Sequence, residues 1–147
     1  MAQHTFHYEG SWHGGRNGKG QIKVGNLSSI ISTPASMNGL GEGTNPDEML
    51  VGAAASCYMM TLAFALERKG VPVEELTVAS TGTASDEGGL HFEKIIHYPH
   101  IVLPKEADDK QIEKVHELVK LAESRCMVSK AMKGNVEVKV EARVEKQ

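Results

Sequence analysis

The feature that most constrains this chain is the stretch from Met49 to Leu66, which contains no charged side chain. A helix start precedes it, since Asn45 can cap a helix and Pro46 suits the first helical position. Gly70, just beyond the stretch, is typical of a helix end. The sequence therefore predicts a central helix over residues 46–69. Because this helix lacks a polar face, we expect it to be buried on all sides.

The composition is that of an ordinary globular protein of 147 residues with a formal net charge of −3. This length favours one domain spanning 1–147. The chain has no basic stripe, so we expect no nucleic-acid partner. The N-terminus lacks an apolar signal core, which favours a cytoplasmic protein. The uncharged stretch is barely long enough to span a membrane and has no flanking aromatic belt, so we expect no membrane insertion.

The N-terminal residues predict a β-hairpin followed by a connection. Residues 5–12 mix aromatic and polar side chains, and residues 21–24 form a short apolar and polar segment. The glycine-rich segment 14–20 between them is a strong turn signal. Residues 25–44 contain one short apolar patch and then a segment rich in Pro, Ser and Gly, which predicts an irregular connection.

The residues after the central helix predict a second hairpin, a second helix and a last strand. Residues 74–84 and 90–103 predict paired strands, with a break or bulge at Pro99. The apolar spacing over 108–124 predicts an amphipathic helix. Strict alternation over 136–145 is the clearest strand pattern in the chain.

The predicted order is β-β-α-β-β-α-β, in which the strands come in hairpin pairs. This order favours an α+β fold with a largely antiparallel sheet. A sheet of this size can cover one side of the central helix but not all of it. We therefore expect an obligate homodimer whose helices are shared at the interface.

The chain has two cysteines, and neither has a unique interpretation from the residues alone. Cys57 lies in the middle of the central helix, where a free cysteine is commonly a small buried hydrophobe. The helix dipole gives little help there, so a reactive thiolate would need a cation from elsewhere. Cys126 follows the second helix, beside Arg125 and Lys130, which would favour a thiolate but are also common at helix ends.

Arg16 and Asp47 are the candidate charged partners of a reactive thiol. Arg16 lies in the glycine-rich turn, from which a guanidinium could swing into a cleft and bind a thiolate or an oxyanion. Asp47 lies about 80° from Cys57 around the helix and Glu48 about 180° away, so only Asp47 can share a face with the thiol. Both acidic residues also suit the positive end of the helix dipole.

The seven histidines do not predict a metal site. His91, His97 and His100 lie along one strand region, where two of them could share a face. No third ligand lies at a helical or CxxC-like spacing from such a pair. The chain also lacks a phosphate-binding loop and a nucleophile elbow. We expect neither a metal nor another cofactor.

Three segments resemble the osmotically inducible protein C and organic hydroperoxide resistance family. Residues 45–58 are similar to that family's Asn-Pro-Glu-Glu-Leu…Ala-Ser-Cys-Phe segment, and residues 126–135 resemble its second cysteine motif, Cys-Pro-hydrophobic-Ser-Lys-Ala. Residues 14–18 resemble its glycine-bracketed arginine. The resemblance covers essentially the whole chain and implies an intertwined dimer with central long helices.

The resemblance also implies a thiol-dependent peroxidase that reduces organic hydroperoxides. Cys57 would be the peroxidatic nucleophile and Cys126 the resolving thiol that forms a disulfide with it. Arg16 would stabilise the Cys57 thiolate, and Asp47 would orient Arg16. A dithiol, of lipoyl type in family members, would restore the pair. The apolar helix wall would favour alkyl or lipid hydroperoxides (Met49, Met59, Met60, Leu62, Phe64).

Two residues depart from the family pattern. Asp47 stands where Glu is common, and Met127 stands where a proline usually follows the second cysteine. Two further hypotheses fit the sequence: a redox-sensing or small-apolar-ligand-binding module with slow or no turnover, and a structural dimer with inert cysteines.

Overall fold

The structure, a computed structural model, describes residues 1–147 and contains two compact units, Met1–Met49 and Leu50–Gln147. The prediction of one domain over 1–147 stays a prediction, and each unit is described by itself below.

The N-terminal unit is a three-stranded antiparallel sheet of β1 (Tyr8–His13), β2 (Lys19–Val24) and β3 (Leu27–Ser32). The hairpin of β1 and β2 confirms the first prediction. β3 lies in the segment predicted as an irregular connection. Val24 pairs with Leu27, so Gly25 and Asn26 form a two-residue hairpin turn in which Gly25 has φ +59°. A Gly-Asn pair is itself a hairpin signal, and it could have identified this strand.

The predicted central helix is α1 (Pro46–Arg68). Its first turn is capped by Asn45, whose Oδ1 accepts a hydrogen bond from the Glu48 backbone N–H at 2.9 Å. Beyond its last turn Gly70 has φ +67°, a conformation that glycine adopts without strain.

Within one chain, α1 is buried along a single stripe and not on all sides. The buried residues recur every four positions and therefore lie on one face: Ala54, Tyr58, Leu62 and Leu66. Phe64 remains 55% exposed and Met60 53% exposed. The expectation of burial on all sides is thus wrong for the single chain, because its own sheet and second helix cover only one face of α1.

By length and composition alone, α1 could cross a membrane. The core helix of a soluble protein passes the same test, so this property is weak evidence for a membrane span.

The C-terminal unit has a second sheet built around β5 (His91–Leu103). β4 (Glu75–Ser85) pairs with it antiparallel and confirms the predicted hairpin. β6 (Glu137–Val140) and β7 (Arg143–Lys146) both pair parallel with β5. The predicted last strand is therefore two short strands, and the sheet is mixed.

Pro99 explains why the last strand is divided. β5 itself runs unbroken through Pro99, and the one bulge lies in β4 between Thr83 and Ala84. The His97 backbone carbonyl accepts a hydrogen bond from the Glu141 N–H at 2.9 Å. Alternate residues of a strand direct their backbone groups to the same edge, so Pro99, which has no N–H, faces this edge too. The break or bulge predicted at Pro99 within the 90–103 strand is therefore wrong. β5 continues through Pro99, and the interruption lies between β6 and β7, the two short strands that pair with it.

Two helices follow β5. α2 (Asp109–Arg125) confirms the predicted amphipathic helix and begins with a capping box formed by Asp108 and Gln111. α3 (Met127–Met132) was not predicted, since six residues give too short a pattern. With these elements the chain confirms the α+β class.

The core of this unit has two clusters. The larger joins α1, β5 and α2 through fully buried side chains (Tyr58, Leu62, Ile101, Leu103, Val115). The smaller joins α3 to α1 and β5 through Met132, Ala54 and Ile95. This second cluster packs the short helix, and with it the chain next to Cys126, against α1.

Candidate active site

The two cysteines reach the site from different elements of the C-terminal unit. Cys57 lies in the middle of α1 and is half-buried. Cys126 is the single residue between α2 and α3 and is fully buried. Its backbone is extended, with φ −62° and ψ 120°, so the chain turns at Cys126 and immediately starts a new helix. Both cysteines are free thiols.

The structure brings the two thiols together. Burial raises the pKa of Cys57, but hydrogen bonds from the Cys126 side chain and from the backbone N–H groups of Val128 and Met127 lower it, and so does the Thr61 side chain. The net pKa of Cys57 lies below its ordinary value of 9.0. Cys57 is therefore the thiol of the pair that ionises more readily.

The pKa of Cys126 is shifted in the opposite direction and lies above its ordinary value. Burial raises its pKa, and donating a hydrogen bond to Cys57 raises it further. The backbone N–H and side chain of Ser129 partly offset this effect. The Ser129 hydroxyl is buried and has no hydrogen-bond partner of ordinary geometry, which leaves the neighbouring sulfur as the group it can stabilise. Cys126 therefore remains a protonated donor when Cys57 is a thiolate.

The two backbone N–H groups that lower the Cys57 pKa belong to the start of α3. The first N–H groups of a helix have no partner within the helix. Here two of them, from Met127 and Val128, donate to Cys57. The sequence suggested that a mid-helix thiolate needs a delivered cation, whereas the structure supplies neutral donors from another helix.

Met127 contributes through its backbone. Its side chain is 68% exposed, while its N–H donates to Cys57. A proline at this position, as in the resembled motif, has no N–H to donate. The departure at Met127 therefore gives Cys57 a donor that a proline cannot give, an effect that the sequence alone did not suggest.

Arg16 lies in the N-terminal unit, in the turn between β1 and β2. Its side chain is exposed and forms no ion pair. Its backbone carbonyl accepts a hydrogen bond of 3.5 Å from the Thr33 hydroxyl. Gly14 in the same turn has φ +97°, a conformation that favours glycine.

Asp47 and Glu48, at the start of α1, differ in their contacts. Glu48 Oε1 accepts a hydrogen bond of 2.9 Å from the Thr44 hydroxyl. Asp47 is half-buried and makes no ion pair with Arg16 in the same unit. The roles predicted for Arg16 and Asp47 remain predictions.

The three strand histidines have separate partners. His91 Nδ1 contacts the Gly89 carbonyl at 2.7 Å, and His100 Nε2 contacts a Glu145 carboxylate oxygen at 2.8 Å. His97 is fully buried, and burial lowers its pKa. No group of three or more His, Cys, Asp or Glu side chains is placed to hold a metal ion.

The sequence profile of the family described as OsmC-like protein matches residues 39–141. The uncharacterized protein YmaD of Bacillus subtilis (strain 168) is 48% identical over 145 residues, which cover 98% of this chain and 97% of that protein. The organic hydroperoxide resistance protein OhrB of the same organism is 30% identical over 128 residues, covering 87% of this chain and 90% of OhrB.

Solved structures share the fold. The crystal structure of an organic hydroperoxide resistance protein OsmC from Legionella pneumophila matches with a TM-score of 0.75 and 25% identity, covering 97% of this chain and 99% of that chain. The crystal structure of OhrB from Bacillus subtilis matches with a TM-score of 0.69 and 26% identity, covering 94% of this chain and 98% of that chain.

The backbone donor at residue 127 can be tested by replacing Met127 with proline. The extended Cys126 tolerates a following proline, and position 127 is the first of α3, where proline is favoured. Because Met127→Pro removes one hydrogen bond to a charged group, we expect the Cys57 pKa to rise. Alkylation of Cys57 at neutral pH should slow by about tenfold, since such a bond contributes about 1.5 kcal/mol, or about one pKa unit.

The measurement is iodoacetamide alkylation at a series of pH values, with the modified cysteine identified by mass spectrometry. Met127→Ala is the matched control, since it keeps the N–H and should titrate like the unmodified chain. If Met127→Pro also titrates like the unmodified chain, the backbone donor is unimportant.

Proposed function

Because the chain belongs to the OsmC-like protein family, we propose that it is a thiol-dependent peroxidase that reduces organic hydroperoxides to alcohols. The observation that carries the proposal is the contact between Cys57 and Cys126, with the lower pKa on Cys57. Relatives named organic hydroperoxide resistance protein, at 26% and 30% identity, support the choice of substrate. The proposed role is defence against oxidative stress.

In the first proposed step the Cys57 thiolate attacks one oxygen of the hydroperoxide. A sulfur–oxygen bond forms and the O–O bond breaks, which leaves Cys57 as a sulfenic acid. The departing alkoxide takes up a proton and becomes the alcohol. The lowered pKa of Cys57 favours this step, because the thiolate is the nucleophile.

In the second step Cys126 attacks the sulfur of the Cys57 sulfenic acid. A disulfide forms and the hydroxyl leaves as water, with the proton coming from the Cys126 thiol. A small dithiol, of lipoyl type, then reduces the disulfide by thiol–disulfide exchange and is itself oxidised. The hydrogen bond between the thiols supports this step, since they are neighbours before any oxidation.

The preference for organic hydroperoxides is proposed from the apolar residues of α1. Met59, Met60 and Phe64 expose sulfur and aromatic surface on the helix that carries Cys57. Such surface interacts better with an alkyl or lipid chain than with hydrogen peroxide. We place the proposed cycle in the cytoplasm, where thiols remain reduced.

We also propose that the protein is a homodimer. The exposed apolar side chains of α1 support this (Met59, Met60 and Phe64), because large apolar side chains that are grouped on one exposed helix commonly mark an interaction surface. Sedimentation velocity should give twice the chain mass of 15.9 kDa. The substitution Phe64→Glu should weaken the association, because it places a charge in the proposed interface. A monomer at micromolar concentration of the unmodified chain would contradict the dimer.

The peroxidase proposal predicts the behaviour of the two cysteine variants. Purified protein should consume cumene hydroperoxide in the presence of a dithiol such as dihydrolipoamide, and Cys57→Ser should abolish this consumption because the nucleophile is lost. Cys126→Ser is the matched control, since it should still reduce about one equivalent of hydroperoxide and then stop at the sulfenic acid. Unchanged turnover by Cys57→Ser would exclude the assignment.

For Arg16 we propose a role in stabilising the thiolate and polarising the peroxide, with Asp47 orienting the guanidinium. Arg16→Ala should raise the Cys57 pKa and lower kcat/KM for cumene hydroperoxide by about tenfold or more, as for the loss of one charged donor. Arg16→Lys should recover only part of the activity, because an ammonium lacks the guanidinium fork. Steady-state kinetics check this, and Arg16→Ala with wild-type kcat/KM would remove Arg16 from the mechanism.

A further inference from the structure

Tyr58 is the residue next to Cys57 and points into the core. It is fully buried, and its hydroxyl donates a hydrogen bond of 2.8 Å to the backbone carbonyl of Val119. This bond joins α1, which carries Cys57, to α2, which ends at Cys126.

The Tyr58 ring is fixed from the sheet side. His97 of β5 stacks on it, with the ring centroids 4.9 Å apart and an interplanar angle of 27°. His97 is itself fixed, because its Nδ1 shares a hydrogen bond of 2.6 Å with the Ser80 hydroxyl of β4. His97 Nε2 is buried and has no partner, so the bond to Ser80 is the one hydrogen bond of the imidazole. The Tyr58 hydroxyl therefore contacts α2 from a well-defined position.

Val119 and Cys126 are connected by the last turns of α2, so the position of Val119 affects that of Cys126. The two residues are seven positions apart, which is about two helical turns, about 10 Å and a rotation of about 20°. They therefore lie on nearly the same face of α2. The helical hydrogen bonding continues to Cys126, whose N–H donates to the Ala122 carbonyl at 2.9 Å. A displacement of α2 at Val119 would thus displace Cys126 with it.

We propose that the Tyr58 hydroxyl is a positioning group, which fixes α2 along α1 and so sets the Cys126 sulfur against the Cys57 sulfur. The inference rests on the proposed function in that these two thiols form the disulfide. When the sulfenic acid on Cys57 condenses with the Cys126 thiol, the S–O bond breaks, the S–S bond forms and water leaves. The hydroxyl raises the effective concentration of Cys126 at Cys57 for this step.

The variant Tyr58→Phe removes the hydroxyl and keeps the ring that stacks on His97. We expect the equilibrium constant for disulfide formation between Cys57 and Cys126 to fall by threefold to tenfold. This change makes the reduction potential less negative by about 15 to 30 mV. The potential is measured by equilibrating the protein with mixtures of oxidised and reduced dithiothreitol and quantifying free thiols.

Tyr98→Phe is the matched control, since Tyr98 of β5 makes no side-chain hydrogen bond to α2, and it should keep the wild-type potential. Ser80→Ala is a second variant, for use if Tyr58→Phe folds poorly, and it should shift the potential in the same direction by less. Circular dichroism establishes that each variant is folded.

The reduction potential of the Cys57–Cys126 pair distinguishes a positioning role of the Tyr58 hydroxyl from a role in stability alone. If Tyr58→Phe lowers the melting temperature but keeps the wild-type potential, the hydroxyl is merely structural and the inference is overturned. Because no hydroperoxide is used, the measurement is independent of the proposed peroxidase activity. A shifted potential in a protein that does not consume hydroperoxide supports the positioning role and removes only the peroxidase.

Discussion

The site depends on the hydrogen bonds that the chain around Cys126 donates to Cys57. Burial alone would keep Cys57 protonated, since it disfavours the thiolate. The Cys126 thiol and the N–H groups of Met127 and Val128 outweigh that effect and leave the pKa below its ordinary value. The same contacts give Cys126 a raised pKa. One local arrangement thus produces both an ionised nucleophile and a protonated neighbour.

The fold serves this arrangement by holding three helices against one sheet. α2 ends before Cys126 and α3 begins directly after it. The first N–H groups of α3, which have no partner within the helix, therefore lie beside the Cys57 thiol. Packing of Met132 on Ala54 and Ile95 keeps α3 in place. Pro99 interrupts the strand beside β5, while β5 itself runs unbroken from His91 to Leu103.

The sequence predicted what depends on long patterns and could not predict what depends on a few tertiary contacts. α2 carries clear apolar periodicity, α1 carries start and end signals around a long uncharged stretch, and both hairpins carry turn signals. The helix α3 is too short for a pattern, and the donors from Met127 and Val128 are backbone groups that every residue except proline has. The proline usual after the second cysteine is the one signal that could have led to Met127. The buried bond of Tyr58 to Val119 joins residues 61 positions apart, which no local pattern can indicate.

A titration of the fully reduced, unmodified protein with site-resolved detection tests whether the donors around Cys126 stabilise the Cys57 thiolate. Alkylation of each cysteine is followed by mass spectrometry as a function of pH. We expect Cys57 to titrate below the ordinary cysteine value of 9.0 and to react first, while Cys126 titrates above that value and reacts later. If Cys57 instead titrates at or above 9.0, the hydrogen bonds from Cys126, Met127 and Val128 do not outweigh the effect of burial on its pKa.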